Sequence, residues 1–354
     1  MTHPQPATGS TPLEDLLLVA GRDPLAAGLE RALRERCGVR PGSRLLVGCS
    51  GGPDSVALST LLTALSRRRT PLVDSLLMVH VDHGLRPESA AEADDVRRLG
   101  DRLEVPVEVH RVEVATGPGH NVAEAAREAR YALLAEVAVR HGHDGILTAH
   151  HAEDRFETMV HALCRGAGVD GLAQPRWIRP LGTGTLMRPL LATSRTALRE
   201  FCERVHLPFH DAAGNRDPGT ARGFLRESVM PLLESRWPGA GLRASAAADR
   251  LAVAAEVLQQ ALEPHFGASH PLEWDRSSLR TLGPDLTAAG WRLVLLRLTS
   301  DDAPRAREGG VGSTRLAEAA RAACDDVVAP RSFDFGSGCV LRIDSARAVI
   351  HRGA

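Results

Sequence analysis

Between residues 44 and 150 the chain alternates short apolar runs with longer stretches whose apolar residues recur at helical spacing, a pattern few folds accommodate. The runs at 44–49 (RLLVGC), 76–81 (LLMVHV), 105–112 (VPVEVHRV) and 144–150 (DGILTAH) read as strands. Stretches at 56–68, 88–103, 121–141 and 153–165 read as helices between and after them. Strands separated by helices of roughly 10–20 residues imply parallel βαβ units, hence an α/β fold with a doubly wound parallel sheet. Upstream, 13–38 reads as one or two helices with Pro24 near the start of the second, and 1–12 as a disordered tail. Downstream, the Gly- and Pro-rich 166–192 reads as loops with short strands, and 193–205 as a helix that Thr193 or Ser194 caps. A helical stretch follows from about 221 to 262, interrupted near 237–241, and 265–354 reads as a small α+β region ending in a strand hairpin. The expected division is a tail with helices (1–40), an α/β domain (41–220), a helical linker (221–262) and a small C-terminal domain (263–354).

Composition narrows the chemistry. All 43 basic residues are arginine, so Walker-A and Schiff-base lysines are excluded. The net charge of -1 excludes a globally basic nucleic-acid coat, and any RNA contact must use a local patch. Residues 165–204 carry seven arginines and three acids, whereas 82–113 carry nine acids and five arginines. The arginine-rich segment suits phosphate contact, with a solvated arginine surface as the plain alternative. Cysteines at 37, 49, 164, 202, 324 and 339 form no C-x-x-C pair, which argues against zinc ribbons, common cluster spacings and a disulfide framework. No secretory signal or membrane-length apolar run is read, so a soluble cytoplasmic protein is the expectation.

Two motifs carry the function. Ser50-Gly51-Gly52-Pro53-Asp54-Ser55 follows a strand and opens a helix. Glycines let the backbone approach a ligand, and the helix start offers N–H donors and positive dipole, so a pyrophosphate belongs there. Asp54 fits such a cradle if Mg²⁺ bridges its carboxylate to phosphate oxygens. The bland alternative is a tight turn with a capped helix. The second motif lies after the fourth strand, where His150, Asp154 and Glu157 fall at i, i+4 and i+7. If a helix begins by 151, the three share one face and can hold Mg²⁺, bind an ammonium or move a proton. Glu153 and Arg155 are read as solvent-facing. Arg222 and Arg226 sit at i, i+4 on one expected helix face, fit to reach phosphates or to pair with acids.

SGGPDS resembles the pyrophosphate loop of the N-type ATP pyrophosphatases (PP-loop superfamily). Together with VHVDHGLRPES (79–89), NVAEAAREARYALL (121–134), LTAHHAEDRFETMVHALCRGAGVDGL (147–172) and the MRPLL to MPLL segment (187–233), it resembles the tRNA(Ile)-lysidine synthetases. The resemblance is strong over 40–235 and mainly architectural from 240 on. It implies a ligase that adenylates the C2 oxygen of the wobble cytidine, position 34, of CAU-anticodon tRNA(Ile) with ATP and Mg²⁺. The ε-amine of free L-lysine then displaces AMP to give lysidine. It further implies that Ser50 to Ser55 bind ATP and that Asp54 and Asp154 are candidate Mg²⁺ ligands. Asp82 to Arg86 would line the nucleotide edge, and Arg130 would face His150 and Asp154. Arg222 would meet phosphate or adenylate charge, and Glu157 would hold the lysine ammonium. The small C-terminal domain would bind tRNA, and the oligomeric state stays open, a homodimer among the options. The rival readings are a tRNA 2-thiolation enzyme on the same ATP-activating fold and an ATP sensor without turnover.

Overall fold

The computed structural model describes residues 12–84, 89–114, 122–210, 220–267, 272–298, 313–336 and 338–352. The expected tail up to residue 11, Leu85 and Arg86 of the DHGLR string, and the loop 211–217 lie outside the described residues. The chain forms two compact units, one from Met1–His161 with Gln174–Ala248, the other from Ala162–Ala173 with Asp249–Ala354.

In the first unit, α1 (Leu13–Arg22) and α2 (Pro24–Glu35) precede β1 (Ser43–Gly48), α3 (Pro53–Ser66), β2 (Val73–Asp82), α4 (Ser89–Leu103), β3 (Val107–Arg111), α5 (Val122–His141) and β4 (Gly145–Leu147). Then come α6 (Ala152–Cys164), α7 (Val169–Leu172), β5 (Ile178–Leu181), β6 (Gly184–Met187) and α8 (Arg195–Arg204). The sheet order is β3-β2-β1-β4-β6-β5. Neighbours are parallel except β5, the antiparallel hairpin partner of β6.

Alternate residues of β1 face opposite layers, which is why its sequence is apolar throughout. Leu45 and Val47 join the core shared with α1, α2, α3 and α8, whereas Leu46 joins Tyr131, Leu134 and Val137 of α5. Helices therefore cover both faces of the sheet. α3 is buried on nearly every side and so lacks an apolar stripe. Its Ser59, Thr60 and Thr63 hydroxyls donate to the carbonyls of Ser55, Val56 and Ser59, which lets polar side chains sit in the core. Ser194, rather than Thr193, caps α8 by accepting from the Ala197 N–H at 3.2 Å.

After α8 the chain continues through α9 (Ala221–Phe224), a π-helical turn (Leu225–Val229), α10 (Met230–Arg236) and α11 (Ala240–Phe266). The second unit holds β7 (Glu273–Asp275), α12 (Arg276–Leu282), α13 (Pro284–Leu298), the helix Ser313–Cys324, β8 (Arg331–Asp334), β9 (Cys339–Ile343) and β10 (Arg347–Arg352). Its antiparallel sheet runs β7-β10-β9-β8, and the expected terminal hairpin is β9–β10. Trp274, Trp291, Leu341 and Ile350 lie in its core. Arg276 is buried and donates to the carbonyls of Ala322, Ala323, Asp325, Val327 and Asp344, tying loops that would otherwise leave acceptors unpaired. Among the described residues no helix is long and apolar enough to cross a membrane.

α4 lies so close to the sheet edge that a Cβ on Gly100 would come within 2.0 Å of Val107 Cγ2 and 2.9 Å of the Val105 carbonyl oxygen. Gly100→Ala is expected to lower unfolding stability by about 1–3 kcal/mol through overpacking. Asp101→Ala, on the exposed side of the same helix, is expected to change it by less than about 0.5 kcal/mol. Urea denaturation of both variants checks the contrast, and equal midpoints would contradict the packing.

Candidate active site

Because β1 and β4 are parallel neighbours with Val47 opposite Leu147, the segments leaving their carboxyl ends emerge side by side. One is 49–52, leading into α3; the other is 148–151, leading into α6. Gly51 has φ of 81°, a conformation a side chain would strain, and Gly52 is the N-cap of α3. The Ser50 backbone N–H donates to Ser55 Oγ at 3.1 Å, and Ser55 Oγ donates to the Gly52 carbonyl at 3.0 Å. His80 Nδ1 lies 2.9 Å from the Cys49 carbonyl, and the His210 N–H donates to the Gly51 carbonyl at 2.9 Å. With its carbonyls engaged, this loop presents the first amides of α3, which have no acceptor within the helix. Such an arrangement can cradle an anion.

Asp54, in the first turn of α3, faces the start of α6. His151 is buried and lies among three carboxylates: Glu153 Oε2 at 3.0 Å from Nδ1, and Asp154 Oδ2 and Asp54 Oδ2 at 3.5 and 3.6 Å from Nε2. Asp154 Oδ2 also accepts the His151 N–H at 3.0 Å, one half of a capping box at the start of α6. Glu153 Oε2 accepts the Arg195 N–H at 2.9 Å. Arg226 closes the cluster, donating to both oxygens of Glu157 at 2.8 and 2.7 Å and to Asp154 Oδ1 at 3.0 Å.

The charges act on one another. Burial alone would lower the His151 pKa; Asp154, Glu153 and Asp54 overcome it and hold it at about 9. Burial would raise Asp154, but His151, His150 and Arg226 hold it at about 2. Asp54 is raised by burial, with His151 opposing and Asp154 reinforcing. His150 is the converse of its neighbour: burial and then the charge of Arg188 push its pKa well below the ordinary value, against Asp154. Its Nδ1 lies 2.9 Å from Thr148 Oγ1. One histidine is thus a cation and the adjacent one a neutral base.

The environment of His150 continues into an arginine cluster. The guanidinium carbons of Arg127, Arg130 and Arg179 lie 5.3, 5.3 and 4.8 Å from the ring centroid of Tyr131. Such contacts contribute about 0.5–1 kcal/mol each when exposed and about 2 when desolvated. Arg188 is buried beside them and donates to the Arg176 carbonyl at 2.9 Å.

Several sequence expectations change in place or role. His150 precedes α6 rather than sharing a face with Asp154 and Glu157, because the helix begins at Ala152. Glu153 and Arg155 are not solvent-facing: Glu153 binds His151, and Arg155 is fully buried with its Nη1 3.2 Å from Ser245 O and Oγ. Glu157 does not present an open carboxylate, since Arg226 holds both oxygens. Arg222 is exposed, and Arg226 alone of that pair reaches the acids. Arg222 lies in α9 whereas Arg226 lies within the π-helical turn Leu225–Val229, where α-helical i, i+4 spacing no longer holds. His151 was hidden by its neighbour; an N-cap position followed by acids at 153 and 154 was the available signal.

For Mg²⁺, the buried Asp54 Oδ1 has no hydrogen-bond partner, and hard oxygen donors suit the ion. Among the described residues no group of three or more His, Cys, Asp or Glu side chains is arranged to hold a metal. The site therefore fits an ion held by one carboxylate together with substrate phosphates and water, as Mg²⁺ commonly is.

A family described as the PP-loop domain matches residues 25–233. The tRNA(Ile)-lysidine synthase of Pseudomonas syringae pv. tomato is 37% identical over 276 residues, covering 74% of this chain and 60% of that protein. That of Alkalilimnicola ehrlichii is 40% identical over 231 residues, covering 65% of this chain and 51% of its own. That of Bordetella parapertussis is 35% identical over 314 residues and covers 87% of each. The chain thus spans about half of several curated relatives and most of another. In structure it is similar to the U34-tRNA thiolase NcsA from Methanococcus maripaludis, with TM-score 0.56, 15% identity, and 68% of this chain and 79% of that one covered. This likeness establishes the shared fold.

The raised pKa of His151 has a signed consequence. The folded state keeps a proton that the unfolded state loses above its ordinary 6.5, so the contribution is full below pH 6.5 and lost as pH rises to about 9. Relative to His151→Gln, the wild-type chain is expected to lose about 3 kcal/mol of unfolding stability across that window. Denaturant titrations at several pH values check it; a parallel pair of pH profiles would contradict the buried cation.

Proposed function

The chain belongs to the tRNA(Ile)-lysidine synthase family of PP-loop proteins, and from that premise we propose that it ligates free L-lysine to C2 of the wobble cytidine of CAU-anticodon tRNA(Ile). The observation that carries this reading is the placement, at one sheet edge, of a phosphate-cradling loop beside an acid and imidazole cluster.

Ser50 to Ser55 hold the phosphate tail of ATP, and the amides at the start of α3 face its negative charge. Asp54, whose Oδ1 has no hydrogen-bond partner, would hold Mg²⁺ together with the substrate phosphates, and the ion would supply charge neutralisation there. Asp154, a candidate ligand by resemblance, has its oxygens engaged by Arg226 and His151. The cytosine C2 oxygen attacks the α-phosphorus and pyrophosphate leaves. The lysine ε-amine then attacks C2 and AMP leaves, so a poor leaving group has been exchanged for a good one. Orienting base, phosphate and amine in line supplies much of the rate.

The two histidines divide the proton work. His151 already carries a proton near neutral pH and cannot accept another. His150 is a neutral imidazole whose Nδ1 faces Thr148, leaving Nε2 to take the proton that lysine releases. Among the described residues, Asp54, Glu153, Asp154 and Glu157 meet the cations His151 and Arg226, with Arg195 also acting on Asp54, so four carboxylates outnumber three cations and favour an incoming ammonium. Glu157 contributes to that field through Arg226. Arg130, half-buried near His150, meets phosphate charge at the reacting centre. Arg222, exposed on α9, serves phosphate or adenylate charge on the family resemblance alone.

A sulfur-transfer reading finds less support. Cys49, next to the loop, is buried with its thiol pKa raised by burial, and Cys202 is pushed up to about 12 by burial first and by Asp54. A persulfide-forming thiol needs thiolate character and access.

Incubation with ATP, labelled lysine and the tRNA transcript, followed by mass spectrometry of the anticodon nucleoside, is expected to show lysidine. Thiolated cytidine, or no product, would contradict the reading. Asp54→Asn is expected to reduce tRNA-dependent pyrophosphate release by about 100-fold or more. His150→Ala is expected to slow aminolysis of preformed adenylate by about 100-fold, and an unchanged rate would remove its role as base.

A further inference from the structure

The turn that leads into α3 has two glycines in a row, and the peptide joining them is its least constrained unit. A peptide plane rotates through the ψ before it and the φ after it, and glycine tolerates values at both that other residues do not. In a trans peptide the carbonyl and the amide point in opposite directions. One orientation of the Gly51–Gly52 plane aims the Gly52 N–H into the turn, where phosphates would lie. The other aims the Gly51 carbonyl oxygen there and repels them. The first is the one observed: the Gly52 N–H donates to Ser50 Oγ at 3.4 Å, a long bond that a phosphate oxygen can take over.

The carbonyl on the far side of that plane is held from outside the turn. The His210 backbone N–H donates to it at 2.9 Å. The His210 ring lies on the same spot, since a Cβ placed on Gly51 would come 3.2 Å from its Cδ2, with Val96 Cγ2 of α4 at 3.5 Å. Residues 207–210 belong to no helix or strand, so side chains must fix where this donor sits. Arg102 donates to the His206 carbonyl at 3.2 Å, and Phe209 packs against the core shared with α3. His210 Nε2 pairs with the carboxylate of Asp95 on α4, which Arg98 also meets. Of these anchors, the Asp95 pair acts on the donor residue itself.

Resting on the ATP-binding reading above, we propose that His210 is a positioning residue for ATP: clamped to Asp95, it locks the Gly51–Gly52 peptide with its amide turned toward the phosphates. The lock is in place before the nucleotide arrives, so binding does not have to order the plane. His210 touches no reacting atom through this contact. The lock therefore acts on nucleotide affinity and leaves the chemical step alone.

The test is equilibrium binding of a non-hydrolysable ATP analogue to the full chain, together with KM and kcat for tRNA-dependent pyrophosphate release. Thermal melts report whether each variant folds. His210→Ala and Asp95→Asn are each expected to raise Kd for the analogue and KM for ATP about fivefold, with kcat within about twofold. The double variant is expected to be no weaker than either single one, because both changes release the same clamp. His210→Gln is expected to stay within about twofold of wild type, since its amide nitrogen can still donate to Asp95. Asp94→Asn removes an exposed charge paired with Arg97 on the same helix and is expected to leave both constants unchanged. Unchanged affinity in folded His210→Ala and Asp95→Asn would overturn the lock. So would a fall in kcat with KM for ATP unmoved, additive losses in the double variant, a His210→Gln variant as weak as His210→Ala, or an equal loss in Asp94→Asn. Analogue binding needs neither tRNA nor lysine. A wild type that binds nucleotide but forms no lysidine would thus sink the reaction assigned above and leave the lock standing.

Discussion

A strand that ends in the sheet core and a helix that begins there leave amide donors unsatisfied at a fixed place. In this chain β1 ends at Gly48 and α3 begins at Pro53, and the intervening turn requires Gly51 at positive φ. Everything chemical in the first unit is arranged around that edge. β4 runs parallel to β1 and delivers Thr148, His150 and His151 to the same side. α6 then starts at once, with Asp154 and Glu153 in its first turn. The burial of α3 on nearly every side keeps its N-terminus from moving, since its neighbours would have to move with it.

The edge is electrostatically divided. On one side four carboxylates surround His151 and Arg226; on the other, four guanidinium groups surround Tyr131. His150 lies at the junction, its pKa lowered by burial first and then by Arg188, Arg127 and Arg130, against Asp154. Adjacent residues of the same type therefore hold opposite protonation states near neutral pH. The fold creates this by letting one buried imidazole enter a ring of acids that overcomes its burial, while its neighbour is held neutral by burial with the arginines adding to it.

The α/β architecture was legible because its periodicities are strong and its strands are buried on both faces. Leu45, Leu46 and Val47 are all apolar since each has a layer to face. The geometry of the SGGPDS loop was legible because a strand, two glycines and a helix start are local in the chain. The acid cluster was only half legible. Asp154 and Glu157 followed from helical spacing, but their partner Arg226 sits 72 and 69 residues away in the chain, within a π-helical turn that no spacing rule anticipates. His151 was missed because helix boundaries decide which of two adjacent histidines turns inward, and boundaries are the weakest part of a periodicity argument. Arg155 looked like a surface residue by type, yet Ser245 supplies its buried acceptors from across the unit.

A crystal structure of the chain with a non-hydrolysable ATP analogue carrying a methylene between the α and β phosphorus atoms tests the central claim most directly. The account predicts the β- and γ-phosphates against the amides of residues 51 to 55, and the α-phosphate turned toward Asp54 and the start of α6. Phosphates bound away from that turn, or a nucleotide seated with its base in the cradle, would contradict it.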